Sequence, residues 1–171
     1  MIFKEIQKFK QLWIWIILLT AGLICAGTFG YGFYIQIIQG QKFGNKPMSD
    51  NELIIVFISV IILFVLIFLL IGFAKLTTVI DKNGIEYRFF PLHFRTHRIE
   101  WNSVEKYEVI KYHPIRDYGG WGIRYGRKGK AYNVSGNIGL QLYLKSGKNI
   151  LIGTQKEKEL IEFLLKIFGA K

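Results

Sequence analysis

Between Leu53 and Ala74 the chain carries 22 residues without a charge, a proline or an amide. Nineteen of them are Leu, Ile, Val or Phe, the exceptions being Ser59, Gly72 and Ala74. At 1.5 Å rise per residue the run makes a helix of about 33 Å, against a hydrocarbon core of about 30 Å. On an insertion scale of about −0.3 to −0.6 kcal/mol per such residue it favours the bilayer by at most ~6–11 kcal/mol. Residues 53–74 are therefore read as a membrane span, and the rest of the chain as attached to a membrane.

A second apolar run covers residues 12–38. Lys4, Lys8 and Lys10 before it resemble the basic start of a signal peptide, but the apolar core of such a peptide is usually about 7–15 residues long, and this run is longer. The residue before Cys25 is Ile24, not the small side chain that a lipoprotein cleavage site requires. A retained helix is expected. Trp13 and Trp15 stand near one end, with Tyr31 and Tyr34 near the other, as amphipathic rings do at the two headgroup levels. Gly22, Ala26 and Gly30 recur every fourth residue and form a helix-packing face for the second span or a second copy of the chain. Gln39–Asn51, with Gly40, Gly44, Asn45 and Pro47, reads as the loop of a helical hairpin.

Charge is segregated as well. The net +11 resides mostly beyond the spans, where 18 Lys/Arg stand against 9 Asp/Glu from Lys75 onward; the N-terminal arm adds Lys4, Lys8 and Lys10 against Glu5. Excess Lys and Arg mark the cytoplasmic flanks of spans, so both termini are expected in the cytoplasm. An abundance of Ile, Lys, Phe and Tyr suits an AT-rich bacterial genome, a compositional hint only, consistent with an expected multi-pass protein of a bacterial inner membrane. The single cysteine, Cys25, leaves no intrachain disulfide and no cysteine-based zinc site.

Residues 1–75 thus read as an N-terminal arm and a two-helix anchor, and residues 76–171 as a separate cytoplasmic domain. Its pattern is short strands followed by one helix. Candidate strands are Leu76–Ile80, Ile85–Phe89, Phe94–Trp101, Val104–Tyr112, Trp121–Tyr125, Ile138–Leu144 and Asn149–Gly153. Thr154 and Glu157 have the spacing of a capping box. Leu160, Ile161, Leu164, Ile167 and Phe168 form an apolar stripe at helical spacing, and Gly169 is a plausible stop.

About seven antiparallel strands in a small barrel capped by a C-terminal helix is the pattern of a pleckstrin-homology-like (PH-like) domain. Ile80-Asp81-Lys82-Asn83-Gly84-Ile85, Arg98-Ile99-Glu100-Trp101, Tyr118-Gly119-Gly120-Trp121-Gly122-Ile123-Arg124 and Gly153-Thr154-Gln155 carry the likeness. The chain resembles bacterial PH-like domain proteins in which such a barrel follows a transmembrane hairpin. The resemblance implies a binding or scaffolding role and no catalytic residue. Lys82 and Arg88 fall where eukaryotic relatives place phosphoinositide-binding basic residues, a match too short to carry that ligand over.

Little else points to chemistry. The G-x-G-x-x-G pattern from Gly120 fails at Tyr125, and neither Gly129-Lys130 nor Gly147-Lys148 has the rest of a phosphate loop. His93 and His97, read within a strand, would lie about 13 Å apart, too far for one metal. No metal, no cofactor and no enzymatic activity are expected. The richest segment is Arg116–Lys130, where Arg116, Arg124, Arg127, Lys128 and Lys130 alternate with Tyr118, Trp121 and Tyr125. Basic and aromatic side chains together suit single-stranded nucleic acid, a partner protein or anionic lipid. Tethering to a membrane favours lipid and sets nucleic acid last. An alternative role is that of an accessory subunit docked through the hairpin.

Overall fold

A computed structural model describes residues 1–169, so the last two residues of the 76–171 segment lie outside the described part. The chain forms two compact units, Lys10–Gly72 and a sheet domain built from Met1–Phe9 together with Phe73 onward.

The first unit is the expected hairpin. Helix α1 (Leu12–Phe33) continues as a π-helical turn over Tyr34–Ile38, and helix α2 spans Asp50–Phe73. Both helices are long and apolar enough to cross a membrane, with mean hydropathies of 2.1 and 3.7. The small-residue face packs inside the hairpin. Gly22 lies against the ring of Phe64 and Gly30 against that of Phe57, so two glycines make room for two aromatic rings rather than for a backbone. Trp15 meets Phe68 edge-on at 4.8 Å between ring centres, and Phe33 lies 5.9 Å from Phe57. At the tip, buried Gln36 donates to the Met48 carbonyl and to Asp50 Oδ1, both at 2.8 Å. Ser49 and Glu52 close a reciprocal cap at the start of α2: the Ser49 N–H donates to Glu52 Oε2 at 2.8 Å, and the Glu52 N–H to Ser49 Oγ at 3.4 Å.

The sheet domain holds two sheets. In the first the order is β1-β2-β3-β4, all antiparallel, from Phe3–Lys8, Lys75–Ile80, Gly84–Phe90 and His97–Glu100. In the second the order is β5-β8-β9-β7-β6, from Val104–Lys111, Ile138–Leu144, Asn149–Thr154, Gly129–Asn133 and Gly122–Gly126. Strands β7 and β9 run parallel and the other pairs antiparallel. Two expectations are corrected. The sheets do not close into a barrel among the described residues, and the N-terminal arm is not a flank of the anchor but strand β1.

That strand escapes a hydropathy reading because its inward residues are Phe3, Glu5 and Gln7 while Ile6 faces out. Hydrogen bonds stand in for apolar contact. Gln7 Nε2 donates to the Gly153 carbonyl at 2.7 Å. The Glu5 carboxylate accepts from Thr154 Oγ at 2.6 Å and from the Gln155 N–H at 2.8 Å. Strand β1 is thereby fastened to the corner between β9 and helix α4 (Glu157–Phe168). Thr154 also accepts from the Lys156 N–H, so the expected Thr154–Glu157 capping box does not form and the helix starts from Lys156. Gly169 does end it, its N–H returning to the Leu165 carbonyl at 2.8 Å.

One core fills the space between the sheets. Leu76, Ile80, Ile85 and Phe89 come from the first sheet, Leu140, Leu142 and Ile152 from the second, Val134 from the bend just after β7, and Leu160, Phe163 and Leu164 from α4. Complete burial of a Leu, Ile or Phe side chain is worth about 1.5–3 kcal/mol. A smaller cluster lies on the other face of the second sheet, where helix α3 (Pro114–Tyr118) sets Tyr118 on Tyr112, Ala131 and Leu151. There Asn133 Nδ2 donates to the Tyr112 hydroxyl at 2.9 Å. Burial pushes the Tyr112 phenol up to about 12.

Chain connectivity fixes one topological fact. Lys8, at the end of β1, pairs with Lys75, at the start of β2. Only Phe9–Gln11 separate β1 from α1, and only Ala74 separates α2 from β2. The start of α1 and the end of α2 are therefore tied by the chain to one end of one strand pair.

Candidate functional site

The segment Arg116–Lys130 folds as helix α3, a glycine turn and the β6–β7 hairpin, and this sorts its eight predicted contact residues into three groups. Tyr118 is structural, buried on the second sheet with its hydroxyl 3.4 Å from Gln141 Oε1. Arg116, Trp121, Arg124 and Lys128 serve the loop. Arg116 and Lys128 flank Asp117 at 3.3 and 3.7 Å. Arg124 donates to the Trp121 carbonyl at 2.9 Å, and Trp121 Nε1 to the Gly136 carbonyl at 3.2 Å. The His113 N–H and then the Arg116 guanidinium hold the Asp117 carboxyl below its usual range, with Lys128 adding to the effect.

The third group is Tyr125, Arg127 and Lys130. These line a cleft of about 620 Å³ between the β6–β7 turn and the β8–β9 turn, which contributes Gly147, Lys148 and Asn149. None of the lining residues is acidic. Lys148, considered in the sequence as part of a rejected phosphate loop, supplies a third cation, and its signal is Gly147-Lys148 facing Gly129-Lys130. Tyr125 is 75% exposed. The Lys130 ammonium lies 5.0 Å from its ring centre and 4.9 Å from that of Tyr132. Among the described residues neither Arg127 nor Lys148 has an ion-pair partner. Gly129 brings the two turns together: its φ is +106°, and a Cβ there would strike the Asn149 carbonyl. The groove thus offers three cations and one exposed ring, a set suited to an anionic group on an apolar or sugar body.

Lys130 also joins the groove to an aromatic cluster on the first sheet. Tyr132 lies tilted against Tyr87 at 4.6 Å, Tyr87 stacks on His97 at 5.4 Å, and His93 meets His97 edge-on at 4.3 Å between ring centres. The predicted separation of the two histidines is therefore wrong. Residues 91–96 are a turn, not a strand, and β4 begins only at His97. Even so, no group of three His, Cys, Asp or Glu suited to a metal occurs among the described residues.

Burial, with His97 and Lys130 nearby, holds the His93 imidazole below its ordinary range. The folded domain then binds that proton more weakly than the unfolded chain does. The associated stability is intact above the unfolded value of about 6.5, is lost as pH falls below it, and stops changing below the folded value. His93→Gln is expected to flatten this acid-side decline in melting temperature. A decline of unchanged slope in the variant would reject the assignment.

In the hairpin, Gly22 and Gly30 are occupied by Phe64 and Phe57 as described. Ala26 lines an apolar cleft of about 300 Å³ with Leu18, Leu23, Val60 and Phe64. Fold and site together define a sheet domain, with a basic aromatic groove, joined to a two-helix hairpin fit to span a membrane. Comparison with family models and with curated protein sequences finds no match to this chain.

Proposed function

We propose that the protein is a membrane-anchored binding module whose groove at Tyr125, Arg127, Lys130 and Lys148 holds anionic headgroups of the membrane that its own hairpin crosses. The observation that supports this best is the convergence of three cations and an exposed tyrosine in one cleft with no acidic lining. The cleft also shares its end of the domain with the membrane connections. Lys75 pairs with Phe90; the turn after Phe90 carries His93, whose ring is 5.5 Å from Tyr132; and Lys130 of the groove lies over that same tyrosine. In this reading the sheet domain is PH-like, cytoplasmic and bacterial, and binds rather than catalyses. The meander of the first sheet and the C-terminal helix that completes the core support the PH-like assignment.

Full-length protein in nanodiscs of neutral lipid, or of neutral lipid mixed with anionic lipid, tests the proposal. Backbone hydrogen exchange over residues 125–130 and 147–150 is expected to slow as the anionic fraction rises, and to recover in high salt. Each Lys or Arg near an anionic surface contributes about 1 kcal/mol. The triple variant R127A/K130A/K148A is therefore expected to weaken the interaction by about a hundredfold and to abolish the protection. Exchange that ignores lipid charge would overturn the reading.

A further inference from the structure

We infer that the turn between β3 and β4 is a membrane wedge: Leu92 and Phe94 enter the interfacial layer of the bilayer crossed by α1 and α2. The turn is built inside out for a water-facing loop. Leu92 is 55% and Phe94 80% exposed. His93, the polar residue between them, turns inward against His97 and Tyr132. A turn in water gains by the opposite arrangement, since exposed apolar side chains forgo burial and the half-buried imidazole is partly desolvated.

The arrangement is held in place. The His93 N–H donates to the Phe89 carbonyl at 2.7 Å, and Arg88 Nε donates to the His93 carbonyl at 3.2 Å. The two apolar side chains are thus displayed by a backbone that is already ordered, which limits the entropy cost of insertion.

Position and charge name the occupant. Phe90, at the root of the turn, pairs with Lys75, and Lys75 pairs with Lys8. The turn therefore rises from the end of the sheet at which the chain leaves for both spans. The opposite end, at Asp81–Asn83, is five strand steps or about 17 Å away. The surroundings are cationic: Lys75 and Arg88 lie 5.7 and 5.4 Å from the Phe90 ring centre, Arg95 follows Phe94, and no Asp or Glu occurs from Tyr87 to Ile99. Apolar tips above a basic collar match the layering of an anionic membrane surface, with acyl boundary beneath headgroups. The inference rests on the two helices crossing the bilayer and not on the groove.

Its test uses full-length protein with Cys25→Ser and one new cysteine, at Leu92, at Phe94 or, as a control, at Lys82 in the opposite turn. Each is labelled with an environment-sensitive fluorophore and reconstituted into vesicles of neutral and anionic lipid. At Leu92→Cys and Phe94→Cys the emission is expected to shift to the blue, to lose most of its intensity to a nitroxide on the lipid chain, and to resist aqueous iodide. Lys82→Cys is expected to respond to iodide and hardly to the nitroxide. Water-like emission and iodide quenching at Leu92 and Phe94 would overturn the inference. So would shielding from both quenchers, which indicates a protein partner, or equal nitroxide quenching at all three positions. A groove without charge dependence beside a quenched Phe94 label would reject the headgroup proposal and leave the wedge standing.

Discussion

Glu5→Ala is expected to destabilise the sheet domain by about 2–4 kcal/mol, a large fraction of the stability of a domain this size. The substitution removes the acceptor of two hydrogen bonds and leaves the Thr154 hydroxyl and the Gln155 N–H without it. Each donor stranded in this way costs about 1–3 kcal/mol. Deleting residues 1–8 goes further: it exposes β2 as a bare edge, removes Phe3 from the core, and leaves Leu76 and Thr78 without their neighbours Gln7 and Glu5 on β1. A fragment beginning at residue 76 is therefore expected to be aggregation-prone, since an unpaired edge invites intermolecular pairing. Thermal melts of full-length Glu5→Ala in detergent, and the solubility of fragments with and without a supplied β1 peptide, check both statements. An unchanged melt, or a monomeric, cooperatively unfolding 76–169 fragment, would show that β1 is dispensable.

Gly129→Ala is expected to cost about 3 kcal/mol or more and to dismantle the groove. Its φ of +106° is strained for any side chain, at about 1–3 kcal/mol. The added Cβ would also meet the Asn149 carbonyl, next to the parallel pairing of Lys130 with Ile150. Relief requires β7 and β9 to separate, which carries Lys130 away from Lys148. Gly119→Ala is the matched control: its φ of +74° is also positive, but a Cβ there meets nothing within 4 Å. Only the left-handed backbone cost of roughly 1–2 kcal/mol is expected at Gly119. Chemical denaturation of both variants, with exchange over residues 125–130, separates the two effects. Equal destabilisation at the two sites would mean that the close approach at Gly129 is not what positions the turns.

What could be read from residues alone follows from how the fold is stabilised at each place. The two long apolar helices were legible because uninterrupted apolar runs of that length, free of charge and proline, stand out in the sequence. Helix α4 was legible from the spacing of Leu160 and Leu164, although the buried stripe also takes Phe163, which the reading left out, while Ile161, read as part of it, is exposed. Strand β1 was not, since its inward positions are polar and hydrogen-bonded, and Ile6 faces out. The turn at residues 91–96 was misread for a related reason: Phe94 looked like a strand residue and is instead displayed to the outside. In the candidate site, Tyr125, Arg127 and Lys130 could be named from their charge and ring interleaving. Lys148 could not, because its proximity depends on a parallel pairing between strands that are not consecutive. Likewise, nothing in the spacing of Arg116 and Lys128 announces that Asp117 would engage both.

Strand β1 precedes both spans in the chain and β2 follows them, yet Phe3 must lie opposite Ile80 before the first sheet is complete. With both helices crossing a bilayer, as proposed above, biogenesis has an obligatory order. The leading segment must wait, unpaired, until the second span has returned the chain to the compartment it started from. A molecule inserted with an odd number of crossings would strand the two halves of the sheet across the bilayer. It would present an open strand edge to the quality-control machinery, and correct insertion becomes a precondition for a folded domain.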